Sequence, residues 1–294
     1  MSTYVLRLSS LGDVVLAGSV TGPLARKQGE GLRFVTRARY AEIAAALEGV
    51  ESVVRYELDG LPRGRDHQVV DLHASPRSRA WCLRSGARVS RVRRFDMRRR
   101  IRVWAKWGAP PPLVVERYAL AAGVEPAPAP WIRVKGSADA LLICPGASRS
   151  TKCWSIEGFA AIARRWDGPV VVLGSEREAQ RVAAVSEQAG EHVEQVVENG
   201  FQRTLSALGR GRLALAGDTG LMHLCAAAGL PVVGLFGPTT STDGFWSHGG
   251  RVVERALPCR PCSLHGREVC PVGDHMCMSA LDVDTVWSAV QAAG

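Results

Sequence analysis

Three groups of residues in this 294-residue sequence have types and spacing suited to chemistry. In the first, Asp218-Thr219-Gly220, with His223 one turn on, follows the apolar run Leu213–Ala216. A small-residue stretch and a second apolar run, Val232–Phe236, come next, closed by Gly237-Pro238-Thr239-Thr240. The periodicity changes from a buried run to helical spacing and back, which reads as a βαβ unit. Asp218 and Thr219 then stand where a strand ends and a helix begins, where free backbone N–H groups and the positive end of a helix dipole suit a phosphate. The same positions also suit an ordinary helix start, with Asp218 as cap and Gly220 easing the turn. In the second group, Asp13 ends the turn Ser9-Ser10-Leu11-Gly12-Asp13 after the strand expected at Tyr4–Leu8. A carboxylate there can cap the following helix or face the crevice above a parallel sheet. The turn lacks the GxGxxG fingerprint of a dinucleotide site. The third group is Cys259, Cys262, Cys270 and Cys277, with His265 and His275 among them. Their spacing suits a structural zinc, while a reducing compartment accounts equally for free thiols.

These groups need a scaffold of alternating strands and helices. In the first half, strands are expected at Leu32–Thr36, Ser52–Tyr56 and Gln68–Asp71, and helices at Val14–Arg26, Tyr40–Leu47 and Leu113–Ala122. Pro23 is expected to bend or end the first helix. The third strand delivers Asp71-Leu72-His73 to a carboxyl end. The stretch Gly123–Pro130, GVEPAPAP, is proline-rich and cannot continue a helix, so the boundary falls there. The expected domains are residues 1–130 and 131–294. The second half restarts with a strand at Leu141–Cys144 and the loop PGASRSTKCW, which carries Lys152. A helix near Ser155–Trp166, a strand at Val170–Leu173 and Ser175-Glu176 follow, then another helix. A strand at His192–Val197, a short helix at Phe201–Leu208 and a last helix at Asp282–Ala293 complete the pattern. Two halves of this kind fit an α/β chain of two doubly wound domains facing across a cleft.

The net charge of +9 is concentrated. Arg77 to Lys106 holds twelve Lys or Arg and one acid, Asp96, so this segment carries +11 and the remainder −2. Arg93-Arg94 and Arg98-Arg99-Arg100 are its densest parts, with Trp81, Trp104 and Trp107 interleaved. Such a segment attracts an anionic partner: nucleic acid through stacking, or phosphorylated lipid headgroups at a membrane surface. The plain alternative is a solvated helical face with its tryptophans turned inward. Arg7 and Asp13 interrupt the N-terminal apolar stretch, no run is long enough to span a bilayer, and a cytoplasmic location is expected.

Read together, RLSSLGDVVL, VVDLHASPRSR, PGASRSTKCW, GDTGLMHLCAAAGLPVVGLFGPT and the tail CRPCSLHGREVCPVGDHMCM resemble glycosyltransferase family 9, the lipopolysaccharide heptosyltransferases. The motifs run in order from residue 7 to about residue 290, and the tail resembles that of heptosyltransferase II-like members. The resemblance implies a GT-B fold with the donor nucleotide held mostly by the second Rossmann-like domain and the acceptor by the first. It implies inverting, metal-independent transfer of L-glycero-D-manno-heptose from its ADP derivative to the lipopolysaccharide inner core. By it, Asp13 corresponds to the general base, Lys152 to the lysine that meets the donor phosphates, and Asp218, Thr219, Gly220 and His223 to the phosphate-binding helix start. Glu176 corresponds to the acid near the ribose, and Arg77, Arg93, Arg94 and Arg98 are the expected acceptor contacts. The expected partners are an ADP-sugar and a phosphorylated lipid-linked saccharide, with the enzyme peripheral on the inner membrane face. No cofactor is required, a structural zinc at the four cysteines aside. The alternatives are a family 9 transferase with another nucleotide-sugar donor, or a non-catalytic nucleic-acid-binding protein with a zinc-binding tail.

Overall fold

The computed structural model describes residues 2–60, 66–134, 136, 139–246 and 250–294. The chain divides into two compact units. One comprises residues 1–95, 112–133 and 227–229; the other comprises 96–111, 134–226 and 230–294. The basic segment is therefore shared, its Asp96–Ala105 helix grouping with the second unit.

In the first unit, strands β1 (Ser2–Leu6), β2 (Leu32–Thr36), β3 (Val50–Arg55), β4 (His67–Asp71) and β5 (Arg88–Arg91) form a parallel sheet in the order β3-β2-β1-β4-β5. Its centre is buried: Val5, Leu6, Phe34, Val35, Val69 and Val70 have no exposed surface. The expected Val14–Arg26 helix is instead two helices, Leu11–Leu16 and Gly18–Gln28, and the break falls at Ala17. Pro23, expected to bend or end the helix, lies inside the second and does not end it. The reason is visible four residues back. Proline has no N–H for the Ser19 carbonyl, and Ala127 N–H donates to that carbonyl instead, at 2.8 Å. The segment that follows the first unit's last helix thus repairs the ladder that proline opens.

In the second unit, β6 (Ala140–Cys144), β7 (Val170–Ser175), β8 (Val193–Glu198), β9 (Gly211–Gly217), β10 (Val232–Phe236) and β11 (Arg251–Glu254) pair in parallel as β11-β10-β9-β6-β7-β8. Every residue of β6 and β10 is buried, the continuous apolar pattern of a sheet covered on both faces. Helices Ile156–Arg165 and Val283–Gln291 contribute Phe159, Ile162, Val286 and Val290 to the core beneath it. The edge strands β5 and β11 lie outside the sequence expectation; they are short and arginine-flanked, with little apolar alternation.

Counted from its own first strand, each sheet has the doubly wound order 3-2-1-4-5, and the second unit adds a sixth strand. The order reverses between β1 and β4 in one unit and between β6 and β9 in the other. Loops leaving the carboxyl ends of those four strands diverge, which opens the usual ligand crevice of such sheets.

Candidate functional site

The residues singled out in the sequence stand at these two reversal points. In the first unit, Asp13 is on the opening turn of the Leu11–Leu16 helix, just after β1. Its Oδ2 accepts hydrogen bonds from Ser10 N at 3.0 Å and Ser10 Oγ at 2.8 Å, the return half of a capping box. Its Oδ1 lies 2.7 Å from Arg7 Nη2 and 3.4 Å from the Tyr118 hydroxyl, which donates to it. Asp13 therefore both caps its helix and holds a cation. Arg7 Nη1 donates to the Leu72 carbonyl at 2.5 Å, and its guanidinium lies 5.8 Å from the Tyr118 ring centroid. Burial pushes the Asp13 carboxyl up, but the Arg7 charge and the Ser10 and Arg7 hydrogen bonds outweigh it and hold the group below the ordinary carboxylate range.

The end of β4 supplies the neighbouring wall. Asp71 is fully buried, and its Oδ1 accepts from His73 N at 3.0 Å and Ala74 N at 2.9 Å. Its Oδ2 accepts from Ser78 Oγ at 3.1 Å and Arg91 Nε at 2.8 Å. With both oxygens engaged, Asp71 fixes the loop rather than reacting. Ser75 then caps the Pro76–Ser85 helix by accepting from Ser78 N, with Pro76 in the first turn, a start legible as Ser-Pro-x-Ser. The loop carries His73, whose pKa is lowered to about 4 by burial and by Arg7, so its ring is neutral at neutral pH. Its buried Nδ1 has no hydrogen-bond partner among the described residues. Arg7, His73 and Tyr118 carry no role in the sequence reading; the usable signal is a charged residue ending an apolar strand.

In the second unit, Lys152 is on the turn Ser150–Lys152 after β6, and its Nζ lies 2.7 Å from Asp218 Oδ2. Asp218 follows β9, and the same oxygen accepts from Thr239 Oγ1 at 2.7 Å. Burial pushes the Asp218 carboxyl up; the Lys152 charge, hydrogen bonds from Lys152 and Thr239, and nearby His223 together hold it below its ordinary range. Helix Gly220–Ala227 starts here, and Thr219 Oγ1 accepts from Met222 N at 3.4 Å. The first-turn N–H groups of a helix lack intrahelical acceptors and carry the positive end of its dipole. His223 is buried, its ring 6.4 Å from that of Phe245. Thr239, from the turn after β10, is the partner that the sequence reading did not assign.

Glu176 is exposed at the end of β7. Two residues on, Glu178 turns inward, accepting from Ser175 N at 2.9 Å and Ser175 Oγ at 2.8 Å. A Cβ at Gly146 would lie 2.2 Å from Glu178 Oε1, so glycine after β6 makes room for this carboxylate. The Ser175-x-x-Glu178 capping box is the signal that separates the two acids. Arg77, Arg93 and Arg94 are exposed in the first unit, with Arg94 Nη1 3.5 Å from the Ala74 carbonyl. Arg98 is exposed in the second unit, and its Nε donates to the Ala109 carbonyl at 2.9 Å.

The cysteine tail has a mechanical task. Thr151 N and Oγ1 donate to the Arg267 carbonyl at 3.2 and 2.7 Å, and Arg267 N donates back to Thr151 Oγ1 at 2.8 Å. His275 Nε2 lies 2.7 Å from the Thr151 carbonyl. A Cβ at Gly266, whose φ is +84°, would lie 2.8 Å from Lys152 Cγ, so the tail passes directly against the lysine stem. Arg260 holds the turn after β10, donating to the carbonyls of Gly237 at 2.5 Å and Thr239 at 2.8 Å. The tail thus clasps the two turns that deliver Lys152 and Thr239 to Asp218. The expected zinc ligands Cys259, Cys262, Cys270 and Cys277 lie near one another: burial pushes the Cys277 thiol up to about 11, with Cys262, Cys270 and Cys259 adding to the shift against Arg260. Among the described residues no three His, Cys, Asp or Glu side chains converge to hold a metal ion, and Cys277 is packed into the hydrophobic core.

The family described as glycosyltransferase family 9 (heptosyltransferase) matches residues 106–268, more than half of the chain. The chain belongs to glycosyltransferase family 9. Among curated relatives, lipooligosaccharide heptosyltransferase 2 of Campylobacter jejuni serotype O:2 is 28% identical over 152 residues, covering 48% of this chain and 47% of that protein. The match therefore spans about half the length of that relative. Among solved structures, Escherichia coli ADP-heptose LPS heptosyltransferase II superposes with a TM-score of 0.72 at 18% identity, over 100% of this chain and 98% of that one. E. coli heptosyltransferase WaaC with ADP-2-deoxy-2-fluoro heptose gives 0.70 at 15% identity, over 100% of both chains. A family 9 glycosyltransferase from Veillonella parvula gives 0.74 at 16%, over 99% and 96%. These establish for this family 9 chain the expected GT-B class, two Rossmann-like parallel-sheet units.

Proposed function

We propose that this family 9 chain is an inverting glycosyltransferase that moves heptose from ADP-L-glycero-D-manno-heptose to a phosphorylated, lipid-linked inner-core saccharide. The observation that carries the reading is the matched pair of Asp–cation sites at the two reversal points. Arg7–Asp13 and Lys152–Asp218 each lie 2.7 Å apart. An inverting displacement has two electrostatic needs: a base for the acceptor hydroxyl and positive charge for the departing diphosphate. Asp13 receives the hydroxyl proton as the acceptor oxygen forms its bond to the anomeric carbon. The bond from that carbon to the diphosphate oxygen breaks, and ADP leaves with the electron pair.

The leaving charge falls on Lys152 and the amides opening the Gly220–Ala227 helix, while Asp218, itself held by Thr239, aims the ammonium. Lysine and amides supply the positive charge that a metal supplies elsewhere, so the step as proposed is metal-independent. Glu178, rather than exposed Glu176, is the acid assigned to the donor's ribose. Arg77, Arg93, Arg94 and Arg98 contact the acceptor's phosphates, and the enzyme works at the inner face of the cytoplasmic membrane. The names of the solved heptosyltransferases support the ADP-linked donor. A mass-spectrometric assay with ADP-heptose and truncated core saccharides tests the reading: a product heavier than the acceptor by one heptose is expected. Turnover of UDP- or GDP-sugars in its place would reject the donor.

A further inference from the structure

The helix Asp96–Ala105 is inside out. Its protein-facing side carries arginines: Arg99 is buried, with its guanidinium 5.0 Å from the Phe245 ring centroid and Nη2 3.3 Å from the Leu264 carbonyl. Arg102 Nη2 lies 3.3 Å from Thr242 Oγ1, and Lys106, just past the helix, donates to the carbonyls of Cys259 at 2.8 Å and Pro261 at 2.5 Å. All these partners belong to the same unit. The helix is thereby tethered through its cations.

Its solvent side is apolar. Met97, Ile101 and Trp104 are 70%, 41% and 87% exposed, and Trp107 beyond the helix is 75% exposed. Spacing of i, i+4 and i+7 places Met97, Ile101 and Trp104 in one stripe, flanked by exposed Arg98 and Arg100. A solvated charge run predicts the opposite, with its apolar side chains turned in. Trp104 and Trp107 therefore depart from the plain alternative, whereas Trp81 obeys it and is buried.

We propose that this stripe is the membrane-contacting surface of the protein, lying in the headgroup region of an anionic bilayer with Trp104 and Trp107 inserted. Tryptophan favours the interface because one end of its ring is apolar and the other polar. Flanking arginines are attracted to an anionic surface, and salt weakens that attraction. The surrounding segment, at +11, supplies that complement. A short amphipathic helix of this kind lies in the plane of the interface rather than across the bilayer. The inference deepens the lipid-acceptor reading and rests on it for its purpose, but the surface itself does not depend on which sugar is moved.

Flotation of the full chain with phosphatidylcholine vesicles, with and without phosphatidylglycerol, tests it. The chain is expected to float with the anionic vesicles and to be partly released as salt rises. The double variant Trp104→Ala, Trp107→Ala is expected to lose roughly tenfold in partitioning, on the scale of interfacial burial, with an unchanged melting temperature. Transfer to a lipid-free saccharide should proceed at the parent rate, because neither tryptophan is in the catalytic machinery. Equal flotation of variant and parent overturns the proposal, as does retention on single-stranded RNA with none on anionic vesicles. Flotation without any ADP-heptose turnover would reject the sugar assignment and leave the surface standing.

Discussion

The two reversal points hold the same pair of charges by different means. In the first unit the hydrogen-bond partners of Asp13 are mostly local: Ser10 is three residues away and Arg7 six, while Tyr118 comes from afar. In the second, Lys152, Asp218 and Thr239 arrive from three separate loops, and the tail from Arg260 to His275 keeps two of those loops in place. The first pair sets the ionisation of a carboxylate; the second aims an ammonium. A base needs its own proton affinity tuned, whereas a phosphate cradle needs several donors placed at once.

The sharpest way to break this comparison is to neutralise each aspartate in turn. Asp13→Asn is expected to cut kcat by about 10²–10⁴-fold, the range of a positioned base, while ADP affinity by calorimetry stays unchanged. Lys152→Ala should instead weaken ADP binding and slow transfer together. Adding Asp218→Asn should then cost little more, since aiming an absent ammonium has no effect. Full additivity in that cycle would mean that Asp218 acts separately.

A smaller effect should distinguish ionisation from placement. Asp13 has a lowered carboxyl pKa, so it is charged above that value and the acid limb of kcat/KM lies below the ordinary carboxylate range. Arg7→Met removes the principal lowering charge and leaves burial, which raises the pKa, so the limb should move to higher pH. An unmoved limb would assign it to another group. The same sign governs stability. Because the folded pKa is depressed, the Arg7–Asp13 contribution is present above the unfolded carboxylate pKa and is lost as pH falls through the folded value. The smallest change is expected for His275→Ala, which frees the Thr151 carbonyl but touches no substrate. ADP affinity should fall several-fold with kcat at saturation nearly retained, and an equal loss in both would show the tail to act in chemistry.

How legible this was in the sequence follows the same division. The central strands β2, β4, β6 and β10 read directly from apolar runs, and Asp13 and Asp218 from their places after such runs. Edge strands β5 and β11 gave little signal because three of the four residues of β5 and both ends of β11 are exposed. That the helix runs on past Pro23 was not legible, because the group that satisfies Ser19 comes from Ala127, over a hundred residues on. Thr239 and the clasp on Lys152 depend on loop-to-loop contacts that no periodicity encodes, whereas Glu178 is marked locally by its Ser175-x-x-Glu spacing. The cysteine spacing does not show that Cys277 is packed into the core, which only the fold reveals.

The clasp also sets an order of maturation. All six strands of the second unit are complete by Glu254, yet the groups that seat the Lys152 turn lie at Gly266, Arg267 and His275. A nascent chain stalled between these points would own the whole sheet and still lack a seated lysine. If the Lys152 turn holds the donor as proposed, nucleotide capture comes late in biosynthesis, after the scaffold that displays it.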